Sequence, residues 1–300
     1  MKWKRKVFLS VIFLLVLANF FVWKGIFDLS EGVLKVVFFD IGQGDSIYIE
    51  TSQGHQILID GGPSGKKILE KLSGEIPFWD KSLDLVILTH PDADHLSGLN
   101  YVLKRYKVEN ILWTGVKKDT KTFGYWQENL EKEKKEEKAN IIITQRGQRI
   151  KAGKTEIFVL YPFQNLEDEF FKENTNDTSV VVKLSFYENN FLFTGDISEK
   201  VEKELIIGDS YLSLNSQVLK VAHHGSKSST SRDFLKTVKP EIAVISCGIN
   251  NPYGHPSQNA LSNLQEFGIN ILRTDQKGDI KIVSNGKNYS YLRKSVYPVR

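Results

Sequence analysis

The sequence predicts an α/β protein of four layers, two β-sheets packed face to face with helices outside them. Runs of short strands followed by helical stretches occur twice after residue 33, the pattern of two sheets each backed by helices. At 41% hydrophobic and 25% charged over 300 residues, the chain can bury one substantial core and is neither disordered nor fibrous. No low-complexity linker interrupts residues 34–300, so they read as one domain behind an appendage at residues 1–33.

The first group opens with a strand from Leu34 to Phe39 and the turn-rich Asp40-Ile41-Gly42-Gln43-Gly44-Asp45. Strands Ser46–Glu50 and Gln56–Ile59 follow about a glycine-containing turn. Lys66–Leu72 suits a short helix, Leu83–Leu88 a continuous apolar strand, Leu96–Tyr106 a helix, Val108–Trp113 a strand and Tyr125–Ala139 another helix. Between residues 131 and 138 opposite charges stand four apart, as on a solvated helix face. The second group has strands at Ile141–Thr144, Glu156–Tyr161, Ser179–Phe186 and Phe191–Phe193, a helix at Glu199–Ile207 and a strand at Val218–Ala222. A helix near Asp233–Val238, a strand Ala243–Ser246, a helix Asn259–Phe267 and closing strands Asp279–Ser284 and Asn288–Leu292 complete it.

Residues 1–33 read as a transmembrane anchor and a short linker at 25–33. Val7–Trp23 is broken only by Ser10 and Asn19, and about 17 to 25 apolar residues cross a bilayer as a helix. Lys2, Lys4, Arg5 and Lys6 in front keep that end in the cytoplasm, which makes a single-pass protein of the cell membrane with its large domain outside. A signal peptide cleaved after Ala18 competes and would give a secreted protein, but Phe20, Phe21, Val22 and Trp23 carry the apolar run past a usual signal core. A helix buried in the protein is the third reading.

The same four basic residues account for the whole net charge of +4. The exported part is formally neutral, so bulk charge gives no argument for nucleic-acid binding. The stretch from Arg273 onward is locally basic through Lys277, Lys281, Lys287, Arg293, Lys294 and Arg300, and would steer an anion if it lay beside the cleft. Cys247 is the sole cysteine, so no intrachain disulfide forms and stability outside the cell rests on the core and on bound metal.

The sharpest chemical signal is His90-Pro91-Asp92-Ala93-Asp94-His95, four metal-capable side chains directly after a buried strand. Imidazole and carboxylate suit zinc, manganese or iron. Thr194-Gly195-Asp196, Ala222-His223-His224-Gly225-Ser226 and Gly254-His255-Pro256 follow three further strands. Five of the six histidines thus lie at or just past strand ends, with His55 apart in a turn. Core or surface histidines have no reason to choose strand ends; metal coordination supplies one.

These segments, with Gly42-Gln43-Gly44-Asp45-Ser46 and Asp60-Gly61-Gly62, resemble the metallo-β-lactamase superfamily. Within it they are most similar to the C-terminal domain of the DNA-uptake protein ComEC and its stand-alone relatives, over Leu34 to Leu292. The resemblance implies the αββα sandwich and two divalent ions, zinc or manganese. It implies that His90 and Asp92 bind one ion and Asp94 and His95 the other, that Asp196 bridges them, and that His223 and His255 complete the set. Catalytic roles then fall to Asp196, Asp94 and His224, the last as substrate contact or general acid. Asp45 and Asp60 would orient the ligating histidines from behind. Asp92 stands where many members have histidine, and the region around Asn176-Asp177-Thr178-Ser179 lacks the histidine that usually completes the first site. Oxygen in place of nitrogen makes the site more tolerant of manganese.

Two such ions lower the pKa of water and stabilise charge at a phosphoryl centre. The resemblance implies a phosphodiester substrate, with single-stranded DNA the expected polymer. Tyr125, Trp126, Phe163 and Tyr253 are candidates either for stacking bases or for filling core and cleft walls. A phosphodiesterase of envelope polymers, such as choline-phosphate esters of teichoic acids, is the second reading. A non-catalytic anchored module holding metal for stability is the third, and two adjacent ions argue against it, since structural sites are usually closed and single.

Overall fold

The computed structural model describes residues 2–29, 32–171, 174–208 and 213–292. Helix α1 (Lys2–Leu29) leads the chain and continues through most of the stretch expected to be a linker. Its Trp3–Val22 segment has mean hydropathy 2.0 and none of it is buried against the rest of the protein. It is therefore not a core helix, and its length and composition suit a membrane span or a signal sequence.

The body is built on two mixed sheets. The first holds β1 (Leu34–Phe38), β2 (Ile47–Glu50), β3 (Gln56–Ile59), β4 (Ser82–Ile87), β5 (Lys107–Trp113), β6 (Asn140–Ile143), β14 (Ile280–Ser284) and β15 (Tyr289–Leu292), in the order β15-β14-β1-β2-β3-β4-β5-β6. The second holds β7 (Arg149–Ala152), β8 (Thr155–Tyr161), β9 (Val181–Phe186), β10 (Asn189–Phe193), β11 (Val218–Lys220), β12 (Ile242–Ile245) and β13 (Asn270–Arg273), in the order β13-β12-β11-β10-β9-β8-β7. The closing pair β14 and β15 crosses back to the first sheet, where β14 pairs antiparallel with β1 from Leu34↔Ser284 to Phe38↔Ile280. The two strand-and-helix groups do not by themselves show that return, nor the short strands β7 and β13.

Three apolar clusters make the four layers. Between the sheets, Phe38, Ile47, Ile59 and Ile87 of one meet Val182, Phe191, Phe193 and Val244 of the other. Outside the first sheet, Val37, Tyr48 and Val86 pack under α2 (Gly65–Glu75) and α5 (Lys121–Lys132) through Ile68, Leu72, Phe123 and Trp126. Outside the second, Leu192, Leu219 and Ala243 pack under α6 (Glu199–Ile207), α7 (Arg232–Val238) and α8 (Gln258–Glu266). Successive strand residues point to opposite faces and both faces are covered, so the strands read as unbroken apolar runs. Ser64, Thr120, Ser231 and Ser257 each cap the helix that follows by accepting from a backbone N–H of its first turn.

Two helices depart from the sequence reading. Leu96–Tyr106 is split into α3 (Ala93–Leu96) and α4 (Leu99–Val102). The Gly98 N–H donates to the Gly62 carbonyl at 2.8 Å, and the Gly61 N–H to the His95 carbonyl at 2.8 Å. A side chain on Gly98 would stand 1.9 Å from the Gly61 oxygen. This crossing diverts the helix hydrogen bonds and fixes the loop that carries His95. The helix expected to run to Ala139 ends at Lys132 and passes into a wider turn, Glu133–Glu137, that buries Glu133. The short helix α9 (Thr274–Lys277) completes the set of described α-helices.

Candidate metal centre

The candidate ligands come from the C-terminal ends of strands in both sheets. His90, Asp92, Asp94 and His95 follow β4, Asp196 follows β10, His223 and His224 follow β11, and the loop after β12 carries His255. One ligand atom from each of Asp94, His95, Asp196 and His224 lies within 4.8 Å of the other three. Asp196 Oδ2 is 3.3 Å from His95 Nε2 and 3.3 Å from His224 Nε2, while Asp94 Oδ2 is 3.4 Å from His224 Nε2. His95, His224 and Asp196 are buried, yet His95 Nε2, His224 Nε2 and Asp196 Oδ1 have no hydrogen-bond partner. Each such orphan costs roughly 1–3 kcal/mol when left unsatisfied, and four converging acid and imidazole donors are what a divalent cation requires. The residues fit a metal.

The far side of each ring is fixed. Asp60 Oδ2 lies 2.7 Å from His95 Nδ1, and Asp60 itself accepts from Thr89 N at 2.8 Å and Thr89 Oγ1 at 2.7 Å. His224 Nδ1 donates to the Ser246 carbonyl at 2.9 Å with Asp45 Oδ1 at 3.3 Å. Asp45 Oδ2 in turn pairs at 2.5 Å with Lys220 Nζ, and both residues are buried. Asp45, Asp60 and His95 form a second group with metal-compatible spacing; Thr89 and His95 take the oxygens of Asp60 and Lys220 takes Asp45 Oδ2, while Asp45 Oδ1, 3.3 Å from His224 Nδ1, is buried without a hydrogen-bond partner.

Two glycines let this support approach. Gly44 takes φ +133°, and a side chain there would come within 2.2 Å of the Asp94 carbonyl, while one on Gly61 would meet Leu99 N at 2.4 Å. Asp60, His223 and His224 also hold positive φ, at 57°, 48° and 54°, a region that costs a side-chain-bearing residue roughly 1–2 kcal/mol.

The remaining histidines stand differently. His223 Nε2 is 4.0 Å from Asp196 Oδ2 and its side chain is 26% exposed. The ring of His255 lies 5.4 Å from that of His223, with exposed Tyr253 stacked on it at 5.9 Å. Neither joins the four-residue group. His90 sits buried beside His95, rings 4.2 Å apart, with Nδ1 3.0 Å from Thr89 Oγ1 and 3.3 Å from Ser179 Oγ and with Nε2 unpartnered. Asp92 pairs with Lys118 Nζ and Thr175 Oγ1.

Electrostatics follow from this packing. Burial alone raises Asp196, but His224 and His95 hold its carboxyl well below the usual range. Burial lowers His224 and His95, yet Asp196 with Asp45 and Asp60 respectively carries both well above the usual imidazole value. Burial and the neighbouring His224 and His223 push His255 down to about 4, so its ring is neutral at pH 7.

A family model described as the metallo-beta-lactamase superfamily matches residues 39–249. The chain belongs to this superfamily. Its four-layer sandwich is the superfamily's fold, and its strand-end cluster supports metal-dependent hydrolysis as the general activity. The chain is similar to ComE operon protein 3 of Bacillus subtilis (strain 168), 32% identical over 90% of this chain but 35% of that protein. It thus spans about a third of that relative's length. It is also similar to Exodeoxyribonuclease WalJ of Streptococcus pneumoniae serotype 2, 38% identical over 66 residues, 22% of this chain and 24% of WalJ. The metallo-beta-lactamase fold protein YhfI of Bacillus subtilis shares the fold at TM-score 0.56, with 16% identity over 84% of this chain and 99% of its own.

Lys118, Thr175, Ser179 and Lys220 escape the sequence reading. Lys220 has a signal, a lone cation inside the apolar run Val218–Ala222. Of the aromatic candidates, Trp126 is buried in the outer core, Arg146 lies over Phe163, and Tyr125 sits beside Lys104 and Lys121. Of the C-terminal basic stretch, Arg273, Lys281 and Lys287 have other surroundings. Arg273 pairs with Asp275 and Lys281 with Glu75, Lys287 lines a 610 Å³ cavity at the starting ends of β11 to β13, and Arg293, Lys294 and Arg300 lie outside the described residues.

Proposed function

We propose that this superfamily member is a metal-dependent phosphodiesterase acting on DNA, held by α1 with its catalytic domain, residues 34–300, on the outer side of a membrane. The observation that carries the reading is the convergence of Asp94, His95, Asp196 and His224, with the buried, unpartnered Nε2 atoms of both histidines facing Asp196 Oδ2 at 3.3 Å. WalJ, whose name states exodeoxyribonuclease activity, and the similarity to ComE operon protein 3 and the ComEC type favour DNA as the polymer. The basic residues Lys2, Lys4, Arg5 and Lys6 ahead of the apolar helix favour the outward placement.

Bound divalent ions, zinc or manganese, would polarise the phosphoryl group and acidify water. Asp94, His95, Asp196 and His224 would hold one ion, and His90 and Asp92 would serve a second beside it. The spacing of His224 from Asp94 and Asp196 favours a ligand role for it over that of substrate contact or general acid. We assign proton delivery to the leaving oxygen to His223, part-exposed and next to Asp196, and base stacking to Tyr253 at the rim over His255. Asp60, Asp45 and Lys220 hold the two ligand rings in place.

The test is hydrolysis by metal-free protein given manganese or zinc, on single-stranded DNA, bis-p-nitrophenyl phosphate and phosphocholine esters. DNA cleavage restored by metal and lost in Asp196→Asn is expected. Turnover confined to phosphocholine esters would move the substrate to envelope polymers. Metal uptake without turnover on any substrate would make the domain a binding module.

A further inference from the structure

The ligands expected for the two ions are not equally assembled. Asp94, His95, Asp196 and His224 already lie within 4.8 Å of one another, whereas His90 and Asp92 enter no such group among the described residues. Asp92 is engaged elsewhere. Its Oδ1 takes both the Lys118 ammonium and the Thr175 hydroxyl, and Lys118 Nζ also donates to Thr175 Oγ1 at 3.1 Å. Lys118 is placed there by backbone rather than by chance. Its loop, between β5 and α5, is tied to the facing segment by Lys117 N donating to Glu169 O at 2.8 Å and Asp168 N to Gly115 O at 3.1 Å. Thr175 is buried, and the Lys118 side chain is 22% exposed. On the other flank, His90 Nδ1 faces the hydroxyls of Thr89 and Ser179 and its buried Nε2 is unpartnered, so of these two residues Asp92 is the one engaged by a cation.

We propose that the centre is asymmetric: Asp94, His95, Asp196 and His224 bind one divalent ion tightly, and Lys118 occupies Asp92 in place of the second ion. The second ion binds only by displacing the ammonium. A fixed positive charge at the ligand and the loss of a charge-assisted hydrogen bond both oppose its entry. This rests on the reading of the first four residues as a metal site.

Manganese titration of metal-free full-length protein, followed by calorimetry and by metal content after gel filtration, tests it without reference to turnover. The wild type is expected to retain one ion per chain, with the second at least about 100-fold weaker. Lys118→Met should strengthen the second ion about tenfold or more and leave the first unchanged. Lys118→Arg, which keeps the charge, should behave as wild type, and Asp92→Asn should lose the second ion alone. Two ions of equal affinity in the wild type, an unchanged second ion in Lys118→Met, or loss of both ions in Asp92→Asn would overturn the asymmetry. No ion bound at any concentration would instead overturn the metal-site reading itself.

Discussion

At the residue scale, His223 and His224 are neighbours in sequence with opposite placements. His224 turns inward against Ser246, Asp45, Asp94 and Asp196, while His223 stays at the rim. His224→Ala should therefore lower metal affinity by at least about 100-fold, and His223→Ala should keep the metal while slowing turnover, as metal content and kinetics on one preparation would show. Equal metal loss in both would return His223 to the ligand set. His223 also holds φ 48°, a strained position kept for the site. His223→Gly should raise stability by about 1 kcal/mol in urea unfolding while impairing turnover.

At the scale of elements, the turn after α5 carries a buried acid where the sequence suggested a solvated charged face. Burial first, and Glu137 second, push the Glu133 carboxyl up to about 7 from an ordinary 4.5. The folded protein holds this proton more strongly than the unfolded chain, so the group's contribution is fully present below pH 4.5 and is lost as pH rises through 7. Glu133→Gln should thus stabilise by about 1 kcal/mol at pH 8, with the gain shrinking toward pH 5 in denaturant melts. A gain independent of pH would point to packing instead. Glu202 is a second buried acid with a different role, since it accepts from Thr230 N at 2.5 Å and Ser231 N at 2.9 Å and so orders the chain as it enters α7. Glu202→Ala strands both donors and should cost about 2–3 kcal/mol, read by equilibrium unfolding.

At the scale of the whole molecule, the layer between the sheets fixes how strand ends from opposite sheets meet. Phe193 lies there, its ring 6.5 Å from Phe191 and 6.1 Å from Phe38, immediately before the turn that presents Asp196. Phe193→Ala should cost about 3–5 kcal/mol by equilibrium unfolding and weaken metal binding with it. By contrast, the apolar segment of α1 contributes to none of the three core clusters. Removing residues 1–31 should shift Tm by no more than about 2 °C and release the protein from membrane fractions; a large loss of stability would mean that α1 packs on the body.

Sequence alone determined the two strand-and-helix groups, the apolar leader, and the clustering of acids and imidazoles behind strands. All of these are written locally: periodicity over a few residues, a ligand directly after an apolar run. The cap at Thr120, which starts α5 four residues before the expected Tyr125, came from the structure. The return of β14 and β15 to the first sheet was decided by pairing partners more than two hundred residues apart. The split between α3 and α4 was decided by a glycine crossing with Gly61 and Gly62. Which of two adjacent histidines faces inward depends on backbone dihedrals at positive φ, and the partner of Asp92 came from a loop 26 residues away. Local pattern states which groups are present; long-range packing sets their directions and partners, and coordination depends on those.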